Sequence, residues 1–474
     1  FGSDEAAEWA AMRRAGHAVA DTVLRDFEEI GGFARDGVLL VLAGKGHNGG
    51  DALIAAGAIL ARFPQARAEV LPVYGDAAMR PLARRAWRDL QQQYPERVKL
   101  VTRAAMRGTY ELCLDGVFGF QFHPPLDERA AAMLAEVNRR HVRLRAAVDI
   151  PSGGGEPGAF RADFTYGTGV LKREVLGMVN AGRLRYLDLG FFATETVETE
   201  NKVITPDVLA PLRVWRDPQT EKRRQGHGFV LAGSRDYPGA ALMAVLAAVR
   251  SGAGLVTAFV PESLVPAFAA QVPEAIWVGW PETPEGGLAL EGLHLLRERM
   301  ERASALVMGP GIGRARETLA LMAEVLKAAR VPVLVDADAL QPEVLAGAKA
   351  PLVLTPHAGE FARIAGGKTL RDFARESGAT VVLKGPVTQV CAGGLVYHSL
   401  FGGPVLARGG SGDLLAGMIG TQLARAPDDV LAAVCGGVAW HGLAAEALAR
   451  AQGTEAVRTT QLLDFLTAAL RLGA

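Results

Sequence analysis

Apolar and polar positions along the chain follow a regular rhythm. Residues 5–27 repeat apolar side chains at helical spacing. The stretch DGVLLVLAGKGHNGGDALIAAGAILARF then reads strand, glycine loop, helix. AEVLPVYG and KLV are short strands with a helix over 77–93 between them, and YELCLDGVFG is a further strand. A helix over 127–140 and the strand LRAAVDIPSG follow, and the order ends near RYLDLGFF. The next segment, ATETVETENKVITPDVLAPLRVWRDPQTEKRRQGHG, is polar, contains prolines and keeps no period. A domain boundary is expected inside it, near residue 205. A second series begins there. GFVLAGS, LVTAFV, ALVMGPG, VPVLVDADAL, APLVLTPHAGE and ATVVLKGPVTQVC read as strands, with helices over 239–251, 315–329, 413–425 and 430–450.

Short apolar runs alternating with amphipathic helices imply βαβ units and parallel sheets. The runs are apolar throughout, as in strands covered on both faces. The expected fold class is α/β with two domains, 1–205 and 206–474.

Composition narrows the function. Lys+Arg and Asp+Glu are both 51, so the formal net charge is zero. That balance gives no support to a bulk nucleic-acid binder or a basic membrane-surface protein, and neither partner is expected. The three cysteines, Cys113, Cys391 and Cys435, are isolated. A disulfide framework or structural zinc is not expected, and a reducing cytosol is. GAALMAVLAAVRSGAGLVTAFV is broken by Arg250 and reads as buried helix, turn and strand, not a membrane span. The chain opens at Phe1 with no Met and no charged-then-apolar leader. A trimmed N-terminus without a signal peptide is the expectation.

Ligands of open parallel sheets bind at the C-terminal ends of the strands. In the first half those ends carry GKGHNGGD (44–51), DGVFGFQFHPPL (115–126) and DIPSG (149–153). The first could cradle an anion, since glycines admit backbone N–H groups and a helix follows. A glycine turn capped by Asp51 explains it equally well when it is taken alone. Asp115 and Asp149, taken singly, are turn caps. The convergence of three such loops on one sheet edge favours a site. Asn48, Asp115 and Ser152 offer oxygen ligands there, which suit a hard cation.

In the second half the corresponding loops are GSRDYPGAA, GPGIG, DADAL, TPHAGE, KGPVT and RGGSGD. His357 follows a strand and a proline at the ligand edge, although a lone histidine is more often structural. KGPVT ends an apolar strand with a cation and a hydroxyl, as a phosphate site would. RGGSGD turns into a helix whose first N–H groups lack partners. Asp413 stands at that end, either as a helix cap or as a base.

The loops GKGHNGGD, DGVFG and DIPSG resemble the N-terminal domain of the NAD(P)H-hydrate epimerase family. GSRDYPGAALMAVLAAVRSGAGLVTAFVP, GPGIG, DADAL, TPHAGEFARI, LKGPVT and GGSGDLLAGMI resemble the nucleotide-dependent NAD(P)H-hydrate dehydratases, whose domain is ribokinase-like. The resemblance covers nearly the whole chain and implies a Rossmann-like αβα domain followed by a ribokinase-like αβα domain. It implies a cytoplasmic repair enzyme and a homo-oligomer. One domain would interconvert the R and S forms of hydrated NADH or NADPH. The other would dehydrate the S form at the expense of ADP, with Mg2+, giving AMP and phosphate.

Residue by residue, the resemblance puts substrate on His47, Asn48, Gly49, Gly50 and Asp51 and on Gly119, Phe120 and Gln121. Asp149 is its candidate acid/base, and K+ sits on Asn48, Asp115 and Ser152. In the second domain Ala240, Gly311, His357 and the catalytic Asp413 would face the hydrate. Lys384, Gly385, Pro386, Val387 and Thr388, with Gly409, Gly410, Ser411 and Gly412, would hold the nucleotide. His47 stands where the family has Asn, Phe120 and Gln121 stand in a GTG-type stretch, and the acid after DIPSG is absent. A dehydratase with a degenerate epimerase domain is therefore one alternative. Others are a ribokinase-type small-molecule kinase with a fused nucleotide-binding domain, and a regulatory protein that senses cofactor. Retention of Asp413 with Lys384, Thr388 and His357 argues against the last.

Overall fold

Helix formation begins where a cap permits it. The computed structural model describes residues 4–191 and 199–471. Asp4 Oδ1 accepts from the N–H groups of Ala6 and Ala7 at 2.9 and 3.3 Å and starts the helix Glu5–Phe27. Ala15, Val19 and Val23 form its buried stripe.

The chain divides into two units. One takes in residues up to 198 with 450–453, and the other holds 199–449 and 454 onward. The first is built on a sheet of seven strands: β1 (Val38–Ala43), β2 (Arg67–Pro72), β3 (Val98–Leu100), β4 (Thr109–Gly116), β5 (His141–Val148), β6 (Phe164–Thr168) and β7 (Arg183–Leu187). All pairs are parallel, in the order β3-β2-β1-β4-β5-β6-β7. Both faces are apolar. Leu39 and Val41 enter one core, and Leu40 and Leu42 the other. The strand order reverses between β1 and β4, where Leu42 pairs with Asp115. A crevice opens at such a switch point.

The second unit carries ten strands: β8 (Asn201–Val203), β9 (His227–Leu231), β10 (Leu255–Pro261), β11 (Ile276–Trp280), β12 (Ala305–Met308), β13 (Val333–Val335), β14 (Leu352–Leu354), β15 (Thr380–Leu383), β16 (Thr388–Ala392) and β17 (Leu395–Ser399). Their order is β11-β10-β9-β12-β13-β14-β15-β16-β17-β8. The switch point lies between β9 and β12, where Leu231 pairs with Met308. Val230 and Val307 face one core and Leu231 and Leu306 the other. Three-residue β8 pairs in parallel with β17, so the second sheet already includes Asn201–Val203.

The apolar run ATVVLKGPVTQVC is not one strand. It folds as the antiparallel hairpin β15–β16, because Gly385 and Pro386 interrupt the ladder and proline has no N–H to give it. The helix Ser411–Arg425 packs on the helix Pro238–Arg250 so closely that a Cβ at Gly417 would lie 2.1 Å from the Ala244 carbonyl oxygen. The helix Val430–Gln452 is apolar and long enough to cross a membrane, yet 83% of its apolar window is buried inside the protein, as in a core helix. Cys113, Cys391 and Cys435 are free and buried.

Candidate active sites

In the first unit the loops after β1, β4 and β5 meet as anticipated. Gly44 lies so close to the β4 loop that a Cβ there would stand 2.0 Å from the Val117 carbonyl oxygen. The helix His47–Arg62 starts directly after it, with no side chain capping Gly46. Asn48 Nδ2 donates to the carbonyls of Phe118 (2.7 Å) and Val148 (2.9 Å), which ties the three loops together. Ser152 Oγ accepts from Phe118 N (2.9 Å) and donates to Asp115 Oδ1 (2.7 Å). Asp115 Oδ2 accepts from Ser152 N at 2.8 Å. Asp115 is fully buried. Burial pushes its carboxyl up to about 6, against the pull of the Ser152 and Val117 hydrogen bonds.

Asp115 and Ser152 bond to each other directly, and the Phe118 backbone joins them to Asn48. The chemistry of the donor set fits K+. It is all oxygen, it holds one carboxylate, and the Phe118 and Val148 carbonyls already converge on Asn48.

A cavity of about 720 Å3 is lined by Asn48 from this group, with Asp51 and Asp149. Asp149 stands in its wall with φ +68°, a left-handed conformation that a non-glycine residue holds only under constraint. Its Oδ1 accepts from Lys172 Nζ at 2.5 Å and its Oδ2 from Phe120 N at 3.0 Å. Asp51 lines the same cavity. Burial first, then the charge of Asp149, raises its carboxyl well above the usual range, and its Oδ1 has no hydrogen-bond partner among the described residues. Gly119 faces both groups: a Cβ there would lie 3.2 Å from Asp149 Oδ2 and 3.4 Å from Asn48 Cγ. His47, Phe120 and Gln121 also line the cavity. His47 Nε2 is 3.6 Å from Glu8 Oε2. Gly49 and Gly50 serve packing, since a Cβ would strike the Gly44 carbonyl oxygen and Met12 Sδ, each at 2.5 Å. Lys172 had no signal in the sequence reading, because neither glycine loop nor apolar run marks its position.

In the second unit, Gly311 has φ +63° and sits against Ala240 and Tyr237, leaving no room for a side chain. Ser234 Oγ donates to its carbonyl at 2.8 Å, joining the loops of β9 and β12. The glycine loop 409–412 is pinned from behind. Arg408 donates to the carbonyls of Thr454, Glu455 and Val457 at 2.7–3.0 Å, and Thr459 Oγ1 to that of Gly409 at 2.9 Å. Gly410, with φ +87°, is the N-cap of the helix Ser411–Arg425, and no side chain caps that end.

Asp413 does not cap its helix. Its carboxylate makes no hydrogen bond among the described residues. Burial raises it to about 6, the nearby Asp336 and Asp338 add to the rise, and Lys384 opposes it. Lys384 turns inward. Its Nζ donates to Asp336 Oδ1 at 2.9 Å, and the pair lies beside Gly412. Asp336, 2% exposed, also accepts from Thr355 Oγ1 at 2.7 Å. Sequence reasoning marked the DADAL loop but not this aspartate. Gly385, Pro386 and Val387 form the hairpin turn, and Thr388 Oγ1 donates to the Gly385 carbonyl at 3.3 Å. His357 caps the helix Ala358–Ala365: its Nδ1 accepts from Gly359 N at 3.0 Å, and its N–H donates to Glu360 Oε2 at 2.8 Å. Its Nε2 lies 3.5 Å from Glu360 Oε1, on a side chain 61% exposed.

The first unit thus presents a cavity with two unlike carboxylates, and the second an uncapped helix N-terminus beside Asp413. The class is a two-site α/β enzyme acting on nucleotides. Residues 229–468 match the family model of NAD(P)H-hydrate dehydratase, and residues 9–173 that of the YjeF-related protein N-terminus. The chain is 37% identical to the bifunctional NAD(P)H-hydrate repair enzyme Nnr of Gloeobacter violaceus, over 93% of this chain and 89% of that one. The enzyme of the same name from Moorella thermoacetica is 32% identical, over 97% and 92%. Among solved structures, a ribokinase-like superfamily protein from Enterococcus faecalis matches with a TM-score of 0.52 and 26% identity, covering 59% of this chain and 99% of that one. The chain belongs to the family of bifunctional NAD(P)H-hydrate repair enzymes.

Proposed function

We propose that this chain repairs hydrated NADH and NADPH by two reactions, one in each unit. The first unit interconverts the R and S forms at C6 of the hydrated ring. Asp149 is its acid/base, bonded on both oxygens by Lys172 and Phe120 yet facing the cavity. When it takes the proton of the C6 hydroxyl, the C6–N1 bond can open to an aldehyde. Asp51, whose carboxyl burial raises well above the usual range, lines the same cavity and would protonate N1. Rotation about C5–C6 and closure on the other face inverts the centre. K+ held by Asn48, Asp115 and Ser152 would fix the β4 and β5 loops electrostatically.

The second unit dehydrates the S form with ADP. The backbone N–H groups of the Gly409–Gly412 loop and the helix end receive phosphate oxygens. Asp413 accepts the C6 hydroxyl proton, and that oxygen attacks the terminal phosphorus, releasing AMP. Phosphate then leaves C6 as C5 loses a proton, restoring the ring double bond. Mg2+ would arrive with the nucleotide phosphates. No group of three His, Cys, Asp or Glu side chains is arranged for a metal among the described residues. Ala240, Gly311 and His357 Nε2 would meet the hydrate, and Lys384 would stand at the phosphate. The proposal extends to a homo-oligomer in the cytosol, where its three free cysteines stay reduced.

The observation that carries this reading is the uncapping Asp413, a carboxylate of raised basicity at an open helix N-terminus. Incubation with mixed R and S hydrates and ADP tests it. Return of the reduced-ring absorbance for the whole mixture requires both reactions. Return for only the S portion leaves the epimerase domain degenerate, and ADP-dependent phosphorylation of a vitamin or sugar alcohol instead would favour the kinase.

A further inference from the structure

Asp149 has a single ion-pair partner among the described residues, Lys172, on the loop that leaves β6. The pair lies in the cavity wall, with the lysine side chain 20% exposed and the aspartate 6%. Three features converge on it. The left-handed Asp149 backbone is fixed by its N–H, which donates to the Tyr166 carbonyl at 2.8 Å. The second carboxylate oxygen is taken by Phe120 N. The Phe120 ring, 61% exposed, stands with its centre 5.0 Å from Lys172 Nζ, within cation–π reach. Ammonium, carboxylate and aromatic ring thus close on one another across the loops after β4, β5 and β6.

A buried carboxylate left without its counter-charge is costly. The other titratable groups on the cavity wall are Glu8, Lys45, His47, Asp51, Tyr74 and Arg80, and none of them is ion-paired with Asp149.

We propose that Lys172 is a positioning residue for epimerisation. Its ammonium holds the Asp149 carboxylate in one orientation and keeps the Phe120 loop against the cavity. This inference rests on the reading of Asp149 as the acid/base of the first unit.

The test uses the full chain with the S hydrate and no ADP, following the R form by chromatography. Lys172→Ala should lower kcat for epimerisation by about 10²-fold, the lower end of what a placed acid/base is worth, and leave KM nearly unchanged. Lys172→Arg should keep most of the rate, and added ethylammonium should restore part of it to Lys172→Ala. ADP-dependent dehydration by the same samples should stay at the wild-type rate.

A wild-type rate in Lys172→Ala overturns the inference. So does a slow variant that neither arginine nor ethylammonium rescues, since that is a structural salt bridge. Should Lys172→Ala fail to fold, a folded Lys172→Arg that loses the rate also overturns it. Full activity in Asp149→Asn would instead remove the reading of Asp149 as acid/base, whatever Lys172 does.

Discussion

Lys384 Nζ lies 2.9 Å from Asp336 Oδ1, so the lysine of the hairpin turn points into the protein. The pair stands beside Gly412, where the glycine loop becomes a helix. Asp336→Ala would strand that ammonium beside Asp413 and Glu360 alone. Removing one partner of a buried pair costs on the order of 3 kcal/mol. Urea unfolding should show a loss of that size, and Asp336→Ala/Lys384→Met should recover part of it. A single variant as stable as the wild type would mean the pair is not a structural element of the loop.

Gly119 tests the wall of the other cavity. Its backbone lies outside the left-handed region, so alanine brings no strain there, only a methyl group 3.2 Å from Asp149 Oδ2. Gly119→Ala should lower epimerisation at least about tenfold by misplacing the reacting groups, with dehydration unchanged. Epimerisation at the wild-type rate would show that substrate does not approach Asp149 from that side.

Epimerisation should depend on K+ and dehydration should not. Exchanging K+ for tetramethylammonium in the assay is expected to slow only the first reaction. Asp115→Asn should abolish the response to K+. Equal rates in both salts would remove the cation from Asn48, Asp115 and Ser152.

The fragment boundary matters for the second unit. Its sheet includes β8, and Ile204 is 4% exposed in its core. A fragment of residues 199–474 should dehydrate the S form and melt at a higher temperature than one of residues 206–474, which lacks that edge strand. Indistinguishable melting would make β8 dispensable.

Most of this architecture was legible. Helix 5–27 and the strand–loop–helix at 38–62 have strong periods, and the structure reproduces them. Elements without such signals were lost. β8 is three residues in a polar segment, β6 is FTYGT with little apolar content, and β11 follows a proline-containing turn. ATVVLKGPVTQVC looked continuous because Val381 and Val390 lie on opposite sides of a four-residue turn, 384–387, that hydrophobicity alone does not weigh. The sites were read by their loops, so glycines and loop acids were found, while Lys172 and the cap role of His357 depend on through-space partners. Asp336 lay within a marked loop, yet only its contacts with Lys384 and Thr355 set it apart.

Asp413 is raised to about 6, above its ordinary value near 4. A base must be ionised to act, so kcat/KM for dehydration should climb about tenfold per pH unit below about 6 and level off above it. The sign for stability is the reverse. A raised carboxyl favours the folded state fully only at low pH, and that contribution is lost as pH rises through about 6. Asp413→Asn should therefore melt no lower than the wild type at pH 7, and equally at pH 4.

The same variant gives the most direct test of the account. Asparagine caps a helix as well as aspartate does, but it cannot take a proton from the C6 hydroxyl. Dehydration of the S hydrate by Asp413→Asn, measured with saturating ADP, should fall by about 10²–10⁴-fold, with ADP affinity and melting temperature preserved. A variant that turns over at close to the wild-type rate would contradict Asp413 as the base.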